Sequence, residues 1–222
     1  MSETPSRSFI HTYGFSLVLR FVAVIITGLL AIVVFQHFQA RQKLANQHTI
    51  EIPKRQVPEF SLTERSSTEV TRESLKNKVW VANFIFTTCP TVCPIMTRRM
   101  KALQDEVLKQ DVELQLVSFS IDPETDTPQE LQKYANLHGA DPKRWWFLTG
   151  HPDTIFNIAR YGFALGFVEN PEEDRNNIGR YAHSSKFALV DKEGFVRGYY
   201  DSQAKAFIQD ILRDAQGLRT LY

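Results

Sequence analysis

The chain has 222 residues, 43% of them hydrophobic, with 26 Lys and Arg against 25 Asp and Glu. This is enough for one medium domain plus an appendage. Residues 1–42 hold Arg7, Arg20 and Arg41 against Glu3 alone, so the remainder is close to neutral. Without a basic run it offers no electrostatic footprint for nucleic acid, which is set aside as a partner.

Beyond a short tail, residues 1–14, the first predicted element is a transmembrane helix over residues 15–35. Arg20 is the only charge between Phe15 and Phe35. A span needs about 20 apolar residues, so Arg20 must snorkel towards an interface. A cleaved signal peptide is the alternative, but the apolar run is long for one and Gln36 to Arg41 lacks an A-x-A-like pair of small residues. The arginines and lysine on the two flanks, Arg7 and Arg20 against Arg41 and Lys43, leave orientation undecided. Residues 36–57 are polar and broken by Pro53, as in a tether, and residues 58–222 form the expected folded domain, beginning near Glu59.

Within that domain the apolar run Val79 to Phe86 predicts a strand. It runs into Cys89-Pro90-Thr91-Val92-Cys93-Pro94, which reads as a strand-to-helix turn with Pro94 at the first helical position. Met96, Met100, Leu103 and Val107 then recur at helical spacing; the two methionines read as core rather than as thioether ligands. Val112 to Ile121 predicts a strand buried on both faces. Thr127, Pro128 and Glu130 set a helix start with a capping box, and Gly139 closes that helix.

Trp145 to Leu148 predicts a short strand, and Asp153 to Tyr161 a short helix ended by Gly162. Phe163 to Ala182 reads as a long excursion, which in a compact domain is usually either functional or disordered. Lys186 to Val190 and Phe195 to Tyr200 predict a hairpin through Asp191-Lys192-Glu193-Gly194, and Gln203 to Ala215 the last helix. Strands alternating with helices and ending in a hairpin describe an α/β domain with a central mixed sheet. The cysteine turn then falls at the carboxyl end of a strand, where ligands of α/β sheets gather.

Cys89 and Cys93 are the only cysteines, so any sulfur chemistry must use them. A cysteine beside a helix N-terminus meets unpaired N–H groups and the positive end of the helix dipole, both of which favour thiolate. Two thiolates form a soft chelate. Zinc usually wants four ligands and an iron–sulfur cluster four cysteines, which leaves copper or a reversible disulfide. A stapling disulfide across so short a loop would remove little chain entropy.

Three segments together carry a resemblance. Phe84-Ile85-Phe86-Thr87-Thr88-Cys89-Pro90-Thr91-Val92-Cys93-Pro94, then Ser120-Ile121-Asp122-Pro123-Glu124-Thr125-Asp126-Thr127-Pro128, and His183 before Phe187-Ala188-Leu189-Val190-Asp191-Lys192-Glu193-Gly194 resemble the SCO/SenC family of copper proteins. The likeness runs from about Val57 to the C-terminus. It implies a thioredoxin-like domain on one membrane anchor, outward-facing: periplasmic on a bacterial inner membrane or, as the alternative, in the mitochondrial intermembrane space. It also implies one copper ion, Cu(I) or Cu(II), held by Cys89, Cys93 and His183 and delivered to the oxidase subunit carrying the CuA site of cytochrome c oxidase, with an upstream copper donor. The chain departs from a thioredoxin in having three residues between its cysteines and no proline before the hairpin strand, where His183 stands.

Other residues keep two readings. Asp122 and Asp126 either shape a turn and support the helix cap or act as carboxylates that orient metal ligands. His138 and His151, near helix ends, keep a structural reading. Beside the copper chaperone stand a thiol-disulfide oxidoreductase using Cys89 and Cys93, and, ranked last, peroxide reduction or redox sensing.

Overall fold

The computed structural model describes residues 20, 22–36, 55–165, 168–169, 181–182 and 185–220. The chain separates into two units, Met1–Glu51 and Ile52–Tyr222. In the first, residues 22–36 form a helix, α1, whose side chains are exposed throughout. Among the described residues no helix is long and apolar enough to cross a membrane. The expected span begins at Phe15, and residues 15–19 and 21 lie outside the described residues.

The second unit is built on a seven-stranded mixed sheet in the order β2-β1-β5-β4-β3-β8-β9. A hairpin of β1 (Ser61–Glu64) and β2 (Glu69–Thr71) leads through a short 3-10 turn at Arg72–Leu75 to β3 (Trp80–Ile85). Helix α2 (Val92–Lys109) crosses to β4 (Gln115–Ser120), and α3 (Pro128–Leu137) crosses to β5 (Trp145–Thr149). These three strands are parallel, as crossover helices require. The chain then forms α4 (Pro152–Asn157), a π-turn at Ile158–Gly162, and a separate small pair, β6 (Val168–Glu169) with β7 (Tyr181–Ala182). The hairpin β8 (Lys186–Val190) and β9 (Val196–Asp201) joins β3 antiparallel, and α5 (Phe207–Thr220) ends the described fold.

The expected mixed α/β sheet flanked by helices is therefore present, and every residue of β3 and β4 is buried, as their near-continuous apolar character requires. The predicted stripe on α2 faces the core, with Met96, Met100 and Leu103 fully buried. Phe119 on β4 sits amid Phe60, Trp80, Phe84 and Phe163, with ring centroids 5.3 to 6.3 Å apart. Among the described residues every buried core residue lies between Val57 and Ala215, so the second unit carries a core of its own.

Several local expectations change. Helix α2 starts at Val92, so Pro94 occupies its third position rather than its first. That is still within the turn where a backbone N–H has no helical acceptor to lose. Thr127 caps α3, its hydroxyl accepting from the Glu130 N–H at 3.3 Å, but the Glu130 carboxylate turns to Lys133 at 2.7 Å and leaves the box half made. The hairpin β1-β2 and its edge of the sheet are additions, because Ser61 to Thr71 alternates too weakly to announce strands. The domain holds the chain already at Arg55: its carbonyl accepts from the Val196 N–H at 2.9 Å, and Val57 is fully buried. The last helix is shifted towards the C-terminus, from Gln203–Ala215 to Phe207–Thr220.

Candidate functional site

The sequence between β3 and α2 brings both cysteines to the carboxyl end of the sheet. Phe86 closes the strand, its carbonyl accepts from the Cys89 N–H at 3.2 Å, and the chain then turns into α2. Both cysteines are thiols rather than a disulfide, and both are buried. Because α2 begins at Val92, the Cys93 N–H belongs to the first helical turn and is free of any helical acceptor; it donates to the Cys89 sulfur at 3.4 Å. The Cys93 sulfur in turn accepts from the Phe86 N–H at 3.5 Å. The Thr91 hydroxyl lies 4.0 Å from the Cys89 sulfur.

These contacts divide the pair electrostatically. A hydrogen bond to Cys89, then burial and the charge of the Cys89 sulfur, push the Cys93 thiol far above its ordinary range. Cys93 therefore gives up its proton less readily than an ordinary thiol. The helix N–H, the dipole end and the neighbouring S–H all favour negative charge on the Cys89 sulfur.

Asp126 holds the cysteine segment in place. It is fully buried, and its carboxylate accepts from the Thr87 N–H at 3.2 Å, from the Thr87 hydroxyl, and from the Ser120 hydroxyl at 2.6 Å. Burial raises its pKa above the usual carboxylate value, against the opposing pull of Ser120 and Thr87. The carboxylate thus ties the end of β4 to the residue two before Cys89. Asp122 shapes the turn between them: its carbonyl accepts from the N–H of Thr125 at 3.1 Å and of Asp126 at 2.8 Å. Cap support falls to neither aspartate, since Thr127 caps α3 with its own hydroxyl.

Three participants escape sequence reasoning. Thr87 and Ser120 stand 39 and 6 residues from Asp126, and no local period links them. Tyr134 on α3 donates to or accepts from the buried Thr97 hydroxyl, one turn after Cys93, at 2.7 Å. Burial pushes the Tyr134 phenol up to about 12, with the charges of Cys93, Cys89 and Asp126 adding to the rise. His138 stacks against Tyr134 with centroids 4.5 Å apart, and the His151 Nδ1 caps α4 by accepting from the Asp153 N–H at 3.3 Å; both histidines are structural.

His183 lies outside the described residues, one position after β7. Among the described residues no group of three or more His, Cys, Asp or Glu side chains is gathered as for a metal ion. What is described is a pair of adjacent thiols at a helix start, which can chelate a soft cation or exchange with a disulfide.

Residues 49–216 match the family model described as SCO1/SenC. The SCO1 protein homolog of Bacillus subtilis (strain 168) is 34% identical over 166 residues, covering 75% of this chain and 84% of that protein. Among solved structures, BsSco, a member of the Sco family of cytochrome c oxidase assembly proteins in which a disulfide switch was identified, is 33% identical with a TM-score of 0.66, over 77% of this chain and 96% of that one. ScoI of Arabidopsis thaliana with copper bound is 25% identical with a TM-score of 0.62, over 74% of this chain and 98% of that one.

Proposed function

The chain belongs to the SCO1/SenC family, and on that premise we propose that it is a membrane-anchored copper chaperone that delivers its ion to the CuA site of cytochrome c oxidase during assembly. Residues 15–35 are its anchor, residues 36–57 its tether, and the domain that follows works on the outer side of a bacterial inner membrane. Copper is its cargo. Cys89, Cys93 and the His183 imidazole hold one ion, a donor set of soft sulfur and borderline nitrogen that suits copper. Asp126 positions the cysteine segment through Thr87, and Asp122 maintains the turn that presents Asp126.

The observation that carries this reading is the Cys93 N–H on the Cys89 sulfur at 3.4 Å. It keeps two thiols side by side at a helix start, where both can be deprotonated as a cation arrives. Three ligands leave the ion open to attack, so incoming thiolates of the acceptor can displace Cys89, Cys93 and His183 stepwise. The protons of the thiols leave as the metal enters, which makes loading dependent on pH and on the reduced state. An anaerobic Cu(I) competition titration tests it: Cys89→Ser, Cys93→Ser and His183→Ala each lose affinity. Equal retention by the double cysteine variant refutes it.

A second reading is thiol-disulfide exchange on the oxidase subunit, favoured by the same proton-sharing pair: Cys89 attacks a partner disulfide, and Cys93 resolves the mixed disulfide as the partner thiolate leaves. His183→Ala separates the two, since a carrier loses copper heavily whereas a reductase keeps much of its exchange rate.

A further inference from the structure

Beyond the cysteine turn, the first half of α2 presents two different faces. Cys93, Met96, Thr97 and Met100 are buried on one. On the other, Thr91, Ile95, Arg98 and Arg99 follow one another at the three- and four-residue spacing that lines up a helix face. Thr91, Ile95 and Arg98 are exposed and Arg99 is half-buried. Ile95 keeps 41% of its surface in solvent only two residues after Cys93. Helical side chains tilt towards the N-terminus of their helix, so Ile95, Arg98 and Arg99 lean back towards the end of α2 that holds the cysteines.

This face is positive. Every carboxylate on α2 and α3 is already engaged by a lysine: Asp105 by Lys101 at 2.5 Å, Glu106 by Lys109 at 3.3 Å and Glu130 by Lys133 at 2.7 Å. Among the described residues Arg98 and Arg99 make no ion pair and no hydrogen bond. The charge of Arg98 is felt on α3, where, after burial, it is the second cause lowering the His138 pKa. That imidazole is therefore neutral at neutral pH and adds no charge of its own. No acid stands in the first turn of α2, so the positive end of the helix dipole adds to the field of the two guanidinium groups.

We propose that Ile95, Arg98 and Arg99 are the docking surface for the protein that exchanges with Cys89 and Cys93, and that they select a partner segment whose cysteines are flanked by carboxylates. The inference rests on the reading of Cys89 and Cys93 as sulfurs that meet a partner's thiols. An arriving thiolate is itself an anion, so a positive rim at the helix start speeds its approach and favours acidic sequence around it. The guanidinium groups suit carboxylates through paired N–H donors, and Ile95 between them covers the apolar part of the contact. Charges on such a rim act chiefly on the rate of association.

The probes are two synthetic peptides, each with one cysteine activated as a 2-pyridyl disulfide, flanked by glutamates in one and by lysines in the other. Full-length reduced, copper-free protein in a non-ionic detergent is mixed with each. The Cys89 sulfur displaces pyridine-2-thione and forms a mixed disulfide, and Cys93 then displaces the peptide thiol, so thione release times the first step. Each rate is divided by that of N-acetylcysteine amide with the same peptide, which removes intrinsic differences between the two disulfides. The expected result is a glutamate peptide about tenfold faster than the lysine peptide at low salt, a gap that closes at high salt and in R98Q/R99Q. Alkylation by uncharged iodoacetamide is the same in parent and variant, and I95S slows both peptides alike. Equal rates for the two peptides, a faster lysine peptide, or a gap that survives in R98Q/R99Q overturns the proposal. So does a changed iodoacetamide rate, which assigns the arginines to the sulfur itself. Cu(I) competition by R98Q/R99Q, expected to match the parent, reports on the metal site separately, so a failed docking surface and a failed copper site give different results.

Discussion

The Asp126 carboxylate and Thr87 meet across 39 residues of chain, and that bond ties the start of the cysteine loop to the segment that follows β4. Asp126→Ala leaves the half-buried Thr87 N–H and the buried Ser120 hydroxyl without their acceptor, at a cost of about 1–3 kcal/mol. Urea unfolding of the reduced, copper-free domain measures it. Copper affinity falls about tenfold in the same variant, because the loop carrying Cys89 is no longer held. Unchanged affinity in a folded Asp126→Ala domain rules out the positioning role.

The two thiols differ in reactivity. With its thiol less ready to ionise and its side chain fully buried, Cys93 is the slower nucleophile. Brief alkylation by iodoacetamide at neutral pH, read by mass spectrometry, labels Cys89 first by about tenfold or more. Preferential labelling of Cys93 reverses the assignment of the attacking sulfur.

Gly162 closes the π-turn against the start of the domain, where an added Cβ meets the Pro58 Cδ at 2.9 Å and the Val57 Cα at 3.3 Å. Gly162→Ala forces those segments apart and costs about 1–3 kcal/mol. The melting temperature of the domain drops by several degrees.

Burial and Arg98 lower the His138 pKa below the ordinary 6.5. Below pH 6.5 the unfolded chain takes up this proton before the folded one, so the residue's contribution to stability is lost as pH falls through that value towards the folded pKa. Denaturant midpoints measured on both sides of pH 6.5 show a smaller acid loss in His138→Gln than in the parent. An identical pH profile removes His138 from the account.

Full-length protein stays with membranes through an alkaline carbonate wash, and a chain starting at residue 52 is released into the supernatant. The wash reports on residues 15–35 directly. Release of the full chain argues for cleavage or for a peripheral attachment.

Periodicity made the middle of the domain readable. The stripe from Met96 to Val107, the doubly buried run ending in Ile121 and the cap at Thr127 each depend on neighbours within a few residues, and each appears where its pattern places it. The turn Asp191 to Gly194 was legible for the same reason: the Asp191 carboxylate accepts from the Glu193 and Phe195 N–H groups at 2.9 Å, and Gly194 takes a φ of +84°. The cysteine pair was plain from count and spacing. What stayed hidden is non-local. Neither the β1-β2 hairpin, whose place depends on β5, nor the Asp126 to Thr87 bond leaves a mark on nearby sequence. The helix start two residues early was equally illegible, since Pro94 suits any position of a first turn.

Each cysteine sulfur receives a peptide N–H, the Cys93 sulfur from Phe86 and the Cys89 sulfur from Cys93. These two N–H groups come from the backbone, so they stay in place whatever the protonation or ligation of the sulfurs, and each offsets part of a negative charge there. A carrier with such fixed donors would change its cargo by moving protons and sulfur lone pairs alone, with no rebuilding of the main chain around them.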